Sequence, residues 1–223
     1  IYVLESPILS NSQLEKFLNY FKSNIKVLDC TFDTKKSLKA RLDELRIEAE
    51  ISVREGAKHL ILSDKGVNEK NASIPMVLAI GAINSKLSDL EIRGFTSINV
   101  QTSEALDTHS FAVLLGVGAT TINPYIAFDS IYQRYEKKLF GKITFEECIK
   151  RYVKSVDNGL LKIMSKMGIS VLSSYRGGCN FEAVGLSRGL VADYFPGMTS
   201  RISGIGIYGI EKKIKELHFK AYQ

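Results

Sequence analysis

The sequence predicts an α/β fold in which parallel strands alternate with helices, on the strength of two observations. Short β-branched runs such as IKVLD and HLILS are each followed by a long amphipathic stretch, and the alternation recurs along the chain. Only four or five such strand–helix units can be counted, too few for a closed eight-stranded barrel. The expected architecture is therefore an incomplete (rudimentary) TIM-barrel-like fold, or an open twisted sheet with flanking helices.

Strands are expected where apolar β-branched residues cluster, and helices where apolar positions recur every three or four residues. The expected strands are 25–29, 59–63, 97–102, 120–123 and 169–172. The expected helices are 35–56, 75–87, 103–115, 125–139, 144–167, 181–186, 190–194 and 211–220. The stretch RISGIGI contains too much glycine to be predicted as a strand.

No break in composition marks a domain boundary, so residues 1–223 are predicted to form a single α/β domain. Because the chain opens on Ile1 in a strand-like run without an initiator Met, it is expected to be excised from a longer chain. Cys30, Cys148 and Cys179 are odd in number and widely spaced, a pattern expected of reduced thiols in a cytoplasmic protein.

Composition argues against two classes of partner. The 30 Lys and Arg exceed the 24 Asp and Glu, giving a formal charge of +6, but the basic residues are interspersed with acidic ones at helical spacing. Nucleic-acid binding would rest on net charge alone, so no nucleic-acid partner is expected. No apolar run approaches the roughly 18–20 residues that span a bilayer, so no membrane association is expected.

Polar side chains cluster where the expected strands end, which is the edge where parallel α/β folds bind ligands. The candidate site residues are Asp64, Lys65, Gln101, Glu104, Asn123, Tyr125, Ser173, Ser174, Tyr175, Arg176, Gly177 and Gly178. Each has a structural alternative, because Asp and Ser in these positions also cap helices and close turns. The favoured interpretation is structural, with these loops and the 173–180 segment facing neighbouring domains.

A second hypothesis makes the chain an independent barrel-like enzyme. Gly177 and Gly178 follow an expected strand, so their amides beside Arg176 could hold a phosphate-bearing ligand. A tight turn would explain the same glycines. This hypothesis requires acid–base groups such as Asp64, Glu104 and His109 to converge in one pocket.

Three long segments resemble one protein family, in the same order along nearly the whole chain. They are LILSDKGVNEKNASIPMVLAIGAINSKL, HSFAVLLGVGATTINPYIAFDSI and NGLLKIMSKMGISVLSSYRGGCNFEAVGLSRGLVADYFPGMTSRISGIG, and the opening ESPILSNSQLEKF also fits. The family is the central domain of the glutamate synthase large (alpha) subunit. The sequence departs from the family pattern at Gln101-Thr102-Ser103-Glu104, at His109-Ser110 and around Asn84-Ser85-Lys86, which argues against a chemical duty there.

The resemblance implies a connecting role within a larger enzyme that makes two L-glutamates from L-glutamine and 2-oxoglutarate. In that family the partners are an amidotransferase domain and an FMN-binding synthase domain of the same chain. NADPH or ferredoxin supplies the electrons, and a small electron-donor subunit or ferredoxin is the expected electron-transfer partner. The parent enzyme carries FMN and an iron–sulfur cluster. No catalytic, cofactor-binding or metal-binding residue of the family matches a position here, so this segment is expected to hold no cofactor and to be non-catalytic alone.

Overall fold

The computed structural model describes residues 3–223, which form eight β-strands and nine α-helices. The strands are β1 (Ile25–Asp29), β2 (Thr31–Asp33), β3 (His59–Ser63), β4 (Asn71–Ser73), β5 (Ser97–Gln101), β6 (Thr121–Asn123), β7 (Glu182–Leu186) and β8 (Thr199–Ile205). The helices are α1 (Asn11–Phe21), α2 (Leu38–Arg54), α3 (Met76–Asp89), α4 (Thr108–Gly116), α5 (Tyr125–Glu136), α6 (Phe145–Lys166), α7 (Leu172–Tyr175), α8 (Arg188–Tyr194) and α9 (Ile207–Ala221).

The main sheet is parallel and has the strand order β1-β3-β5-β6. Helices α2, α3 and α4 each connect one of these strands to the next along the chain. Ile8 adds a parallel bridge to Ile122 beyond β6. Within residues 3–223 the sheet stays open and does not close into a barrel, which confirms the expected α/β architecture of parallel strands with flanking helices.

The core lies between one face of this sheet and the connecting helices. Leu60, Leu62, Ile98, Val100 and Ile122 alternate along the strands and are all buried. They share one cluster with the apolar positions of the three helices, such as Leu42 of α2, Ile83 of α3 and Phe111 of α4. Most of α3 is buried, which accounts for its nearly unbroken apolar sequence.

The opposite face of the sheet is polar although it is largely buried. Thr121 donates to Asn99 Oδ1 (2.8 Å), Asn99 donates to Ser97 Oγ (2.9 Å), and Ser97 Oγ shares a hydrogen bond with His59 Nδ1 (2.7 Å). The His59 ring packs edge-on against Phe17 of α1, at 5.0 Å between centroids. Helix α1 therefore covers part of this face, and the polar groups beneath it satisfy one another.

Several local predictions are confirmed and four are wrong. The first four expected strands form, but 169–172 does not, and its last residue begins the short helix α7. Segment 181–186, expected as a helix, contains β7, and glycine-rich 201–207 contributes to β8. Segment 103–107 is a loop, and α4 begins at Thr108 because Asp107 caps it by accepting from the Ser110 amide at 2.8 Å.

Strands β7 and β8 form a separate two-stranded parallel sheet, and helix α8 connects them. Helix α8 packs against α3 at Gly81, where a Cβ would lie 2.6 Å from the Tyr194 carbonyl oxygen and 2.5 Å from Phe195 Cε1. A similar contact joins the two strands, since a Cβ on Gly204 would meet the Gly185 backbone. The lack of a side chain at Gly204 thus lets the backbones of β7 and β8 approach closely. Because this contact joins distant residues, β8 could not be predicted from its local sequence.

Two general properties follow from these elements. No helix within residues 3–223 is both long and apolar enough to cross a bilayer. Cys30, Cys148 and Cys179 are free, with the first two buried and the third exposed.

Candidate functional site

The carboxyl edge of the main sheet is organised around Asp64, which follows β3 and is fully buried. Its Oδ2 accepts hydrogen bonds from Thr102 Oγ1 (2.8 Å), Ser103 N (2.8 Å) and Ser103 Oγ (2.9 Å). Its Oδ1 accepts from the Tyr125 hydroxyl at 2.9 Å. One carboxylate therefore joins the end of β3 to the loop after β5 and to the first residue of α5.

Tyr125 contributes a donor and a ring surface to this cluster. Burial raises the pKa of Tyr125, and the negative charge of Asp64 raises it further, so the phenol keeps its proton and donates. The Lys65 ammonium lies 5.1 Å from the centroid of the Tyr125 ring. Lys65 thus covers the outer side of the tyrosine by a cation–π contact, while its own charge remains exposed to water.

Glu104 has a different duty in the same loop. Its Oε2 accepts a 2.8 Å hydrogen bond from the backbone amide of Met76, the first residue of α3. Helix α3 begins after Pro75, which has no side chain able to cap it, so Glu104 supplies the cap from a distance. Although the residue as a whole is exposed, burial of its carboxyl end raises the pKa of Glu104, and nearby Asp64 adds to the effect.

A chain of side-chain hydrogen bonds runs along the strand ends at this edge. Ser63 donates to Gln101 Oε1 (2.9 Å), and Gln101 Nε2 donates to Asn123 Oδ1 (3.3 Å). Asn123, which is fully buried, donates to the Leu9 carbonyl (2.9 Å) and to Asn11 Oδ1 (3.0 Å). These links follow the strand register and tie the amino-terminal segment to the sheet.

Six of the predicted site residues therefore meet at the carboxyl edge: Asp64, Lys65, Gln101, Glu104, Asn123 and Tyr125. Their polar atoms largely bond to one another or to the backbone. A general base needs a free lone pair directed at a substrate, whereas the Asp64 carboxylate already accepts four hydrogen bonds. The arrangement is therefore a saturated hydrogen-bond network that connects the strand ends. We call the network of Asp64, Thr102, Ser103 and Tyr125 the Asp64 lock.

The other six predicted residues lie at the opposite, amino edge of the sheet: Ser173, Ser174, Tyr175, Arg176, Gly177 and Gly178. Arg176 Nη1 donates to Thr120 Oγ1 (2.8 Å) just before β6, and Gly177 N donates to the Gly116 carbonyl (2.9 Å). Their expected place at a strand end is wrong because 169–172 is not a strand, and α6 has already carried the chain back to the amino edge.

Within this loop, Tyr175 and Gly178 have local structural roles. Tyr175 is almost fully buried and meets the Phe181 ring edge-on at 6.4 Å. Gly177 has a φ of 68°, and a Cβ on Gly178 would lie 3.0 Å from Asn180 Nδ2. Both glycines are thus explained by a tight turn.

The enzyme hypothesis requires Asp64, Glu104 and His109 to converge in one pocket. The structure does not bring these three side chains together. Asp64 and Glu104 belong to one cluster, but the His109 ring packs against Phe181, at 6.3 Å between ring centroids. Among residues 3–223 no group of three or more His, Cys, Asp and Glu side chains is placed to hold a metal ion.

Sequence reasoning missed two groups of residues. The first group is Leu9 and Asn11, whose oxygens accept hydrogen bonds from the Asn123 side-chain amide. Both residues precede the first expected element. Arg93 was also missed, although it bonds Asn84 Oδ1 (2.7 Å), the Thr96 carbonyl (2.7 Å) and the Gly118 carbonyl (2.9 Å). An arginine inside an otherwise apolar linker, IRGF, was the available signal.

Fold and site together define an α/β protein with an open parallel sheet, whose strand-end polar groups hold neighbouring elements together. Residues 1–187 match the family described as the glutamate synthase central domain, and the chain belongs to that family.

The chain is 50% identical over 222 residues to the large chain of the NADPH glutamate synthase of Azospirillum brasilense, and 37% identical to that of Bacillus subtilis. It is 38% identical to the chloroplastic ferredoxin-dependent glutamate synthase of Oryza sativa. Each match covers 98% or 99% of this chain but only 15%, 14% and 14% of the respective relative.

Proposed function

We propose that this chain is a structural and connecting domain of a glutamate synthase. In this proposal it holds an amidotransferase domain and an FMN-binding synthase domain in register, so that ammonia released from L-glutamine at the first reaches 2-oxoglutarate at the second. A small reactive molecule passed between distant sites must be kept from water, which requires a fixed geometry between those sites. A rigid spacer meets that requirement.

The observation that carries the proposal is the saturation of Asp64. Its carboxylate accepts four hydrogen bonds from three residues that lie on two different chain segments. Such a network fixes the relative positions of β3, β5 and α5, and it leaves the central acid without a free site for chemistry. The network therefore favours rigidity over catalysis at the edge where an α/β enzyme would place its site.

An exposed apolar surface supports a docking role. Parallel strands are ordinarily covered on both faces, yet the register partners Val184 and Ile202 of β7 and β8 are 64% and 62% exposed. We propose that another part of the same polypeptide covers this surface, in keeping with relatives several times longer than this chain.

The proposed single domain spans residues 1–223. Helix α8 lies beyond the stretch matched by the family, and it packs on α3 inside that stretch through the close contact at Gly81. Lys65, which is exposed at the carboxyl edge, is the predicted site residue best placed to face a neighbouring domain there.

Cys30 and the carboxyl edge of the sheet do not fit the cofactors of the parent enzyme. An iron–sulfur cluster needs thiolates, but burial raises the pKa of Cys30, with a further contribution from Asp29, so that thiol stays protonated. At the carboxyl edge, Asp64 and Glu104 would repel the phosphate of FMN. We propose that FMN and the cluster belong to other parts of the full-length protein.

Electron-transfer partners are likewise proposed for the full-length protein. The named relatives include both NADPH-dependent and ferredoxin-dependent enzymes, so a small electron-donor subunit or ferredoxin is the proposed partner of the full-length protein. A cytoplasmic location stays a prediction from the three free cysteines.

The proposal can be tested in the full-length protein by Val184→Lys and Ile202→Lys. Placing charges on the surface of β7 and β8 is expected to lower glutamine-dependent glutamate synthesis and release ammonia into solution, while ammonia-dependent synthesis is kept. The control is Ile51→Lys, a change at a 50% exposed position of α2.

Unchanged coupling in both strand variants would contradict the docking role. Binding of FMN by the 223-residue chain with micromolar affinity would contradict its non-catalytic character.

A further inference from the structure

The amino edge of the main sheet carries a cleft that the connecting role does not use. It has a volume of about 670 Å³ and lies where β3, β5 and β6 begin, beside Lys58, Ser97 and Thr120. We call it the amino-edge cleft, and it is further lined by Arg93, Ser173 and Arg176. Its volume is within the range of about 300–1,000 Å³ typical of small-molecule sites.

The charge of this cleft is unbalanced. Lys58, Arg93 and Arg176 line it, and no acidic residue is among its lining residues. None of the three forms a salt bridge within residues 3–223, whereas the poorly exposed Arg41 and Arg46 pair with Glu48 and Asp193. Cations held together without acidic neighbours attract an anion, because their fields add in a concave space.

Arg176 has donors to spare at this position. Of the five N–H groups of its guanidinium, one donates to Thr120 Oγ1, and Nε is buried with no acceptor within residues 3–223. A half-buried guanidinium with so few acceptors is costly, since desolvated donors lose their water partners. The loop holding it is fixed by the Gly177–Gly116 hydrogen bond.

Arg93 is held rigidly nearby. Three hydrogen bonds to Asn84, Thr96 and Gly118 fix its guanidinium plane against the sheet. Burial and the positive charge of Arg176 lower the pKa of Arg93 to about 10, so it stays charged at neutral pH. The two arginines are close enough to repel, and an oxyanion between them would convert repulsion into attraction.

We propose that the amino-edge cleft binds a small ligand through a phosphate or carboxylate group held by Arg176 and Arg93, with Lys58 adding charge at the rim. The cleft is larger than an oxyanion alone, so the ligand carries a further metabolite-sized part. This site is separate from the Asp64 lock and does not depend on the connecting role.

The test is calorimetric titration of the full-length protein with inorganic phosphate and, separately, succinate, at constant ionic strength and neutral pH. Saturable binding of one of them is expected. Arg176→Gln should weaken it about tenfold or more, because a charge-assisted hydrogen bond contributes roughly 1.5–3 kcal/mol. Lys58→Gln should weaken it by about two- to fivefold, as expected for a more exposed charge.

The matched control is Arg151→Gln, which removes the same charge from an exposed position on α6 and should change affinity less than about twofold. Comparing these variants isolates the cleft from any other anion site in the full-length protein. Arg176→Lys keeps the charge but loses the planar fork, so intermediate affinity is expected. If Arg176→Gln does not fold, Lys58→Gln and Arg176→Lys still decide the question.

Binding of phosphate alone would identify a phosphate-bearing ligand, and binding of succinate alone a carboxylate-bearing one. The proposal is overturned if neither anion binds saturably, or if the folded Arg176 and Lys58 variants bind as the wild type does.

Discussion

The Tyr125 hydroxyl donates a 2.9 Å hydrogen bond to Asp64 Oδ1, although the two residues are 61 positions apart in the chain. The bond joins the first residue of α5 to the end of β3. Since Asp64 is fully buried, each of its donors replaces a water molecule that the carboxylate would otherwise bind. Rigidity at the carboxyl edge depends on this replacement being complete.

Tyr125→Phe is expected to lower the free energy of unfolding by about 1–3 kcal/mol, because one oxygen of a buried carboxylate loses its donor. Urea denaturation followed by circular dichroism measures the change. Tyr208→Phe serves as the control, since Tyr208 is 74% exposed and should change stability by less than about 0.5 kcal/mol. Equal effects of the two variants would count against the Asp64 lock.

Asn123→Leu is expected to cost at least about 2 kcal/mol, because the Leu9 carbonyl and the Gln101 amide lose their partner. Amide hydrogen exchange should show faster exchange at Leu9, whose N–H bonds to the Ile122 carbonyl. The control Asn11→Ala removes one exposed acceptor of the same amide and should cost less than about 1 kcal/mol. Unaltered exchange at Leu9 would show that Asn123 does not anchor this segment.

Gly81→Ala is expected to destabilise the protein by about 1–3 kcal/mol, despite the better helix propensity of alanine. The new Cβ would lie 2.6 Å from the backbone oxygen of Tyr194, so α8 would have to shift. Gly189→Ala on α8 itself is the matched control: its Cβ meets nothing within 4 Å, and it should gain up to about 1 kcal/mol. Thermal unfolding of both variants decides whether α3 and α8 are packed as closely as described.

His59 should titrate below its ordinary value, because burial lowers the pKa of His59 and the nearby charge of Lys58 lowers it further. The folded state then binds fewer protons than the unfolded state, so stability falls as pH drops below about 6.5 and levels off beneath the folded pKa. NMR titration measures the pKa directly, and Lys58→Met should raise it.

The stability consequence is checked against His59→Gln, which has no titrating ring. Wild-type stability should decline relative to that variant as pH is lowered from 7 towards 5. A constant difference between the two proteins across that interval would contradict the lowered pKa of His59.

Much of the fold could be predicted because its signals are local. Strand β3 forms within the expected bounds, since an apolar run suits a buried parallel strand. Strand β1 also forms as expected, at the edge of the sheet, where only Leu28 is buried. Long helices such as α2 and α6 follow from their periodicity and from capping by Ser37 and Thr144. Strands β7 and β8 could not be predicted, because their pairing depends on contact between two glycine backbones distant in sequence.

The candidate site was predictable in part, for a related reason. Asp64, Gln101 and Asn123 were found because each lies at or just after the end of a strand, and parallel strands bring such positions to one edge. Arg176 was placed at the wrong edge because its position depends on where α6 ends, which local sequence does not specify.

The sequence by itself determined the α/β class, the central strands and six residues of the carboxyl edge, since these follow from periodicity and from residues adjacent to strands. Only the tertiary structure decided that the polar atoms of those six residues mostly bond to neighbouring side chains or to the backbone, and that Arg93 and Arg176 share a cleft at the opposite edge. The physical reason is that hydrogen-bond saturation and uncompensated charge are properties of groups brought together from distant parts of the chain.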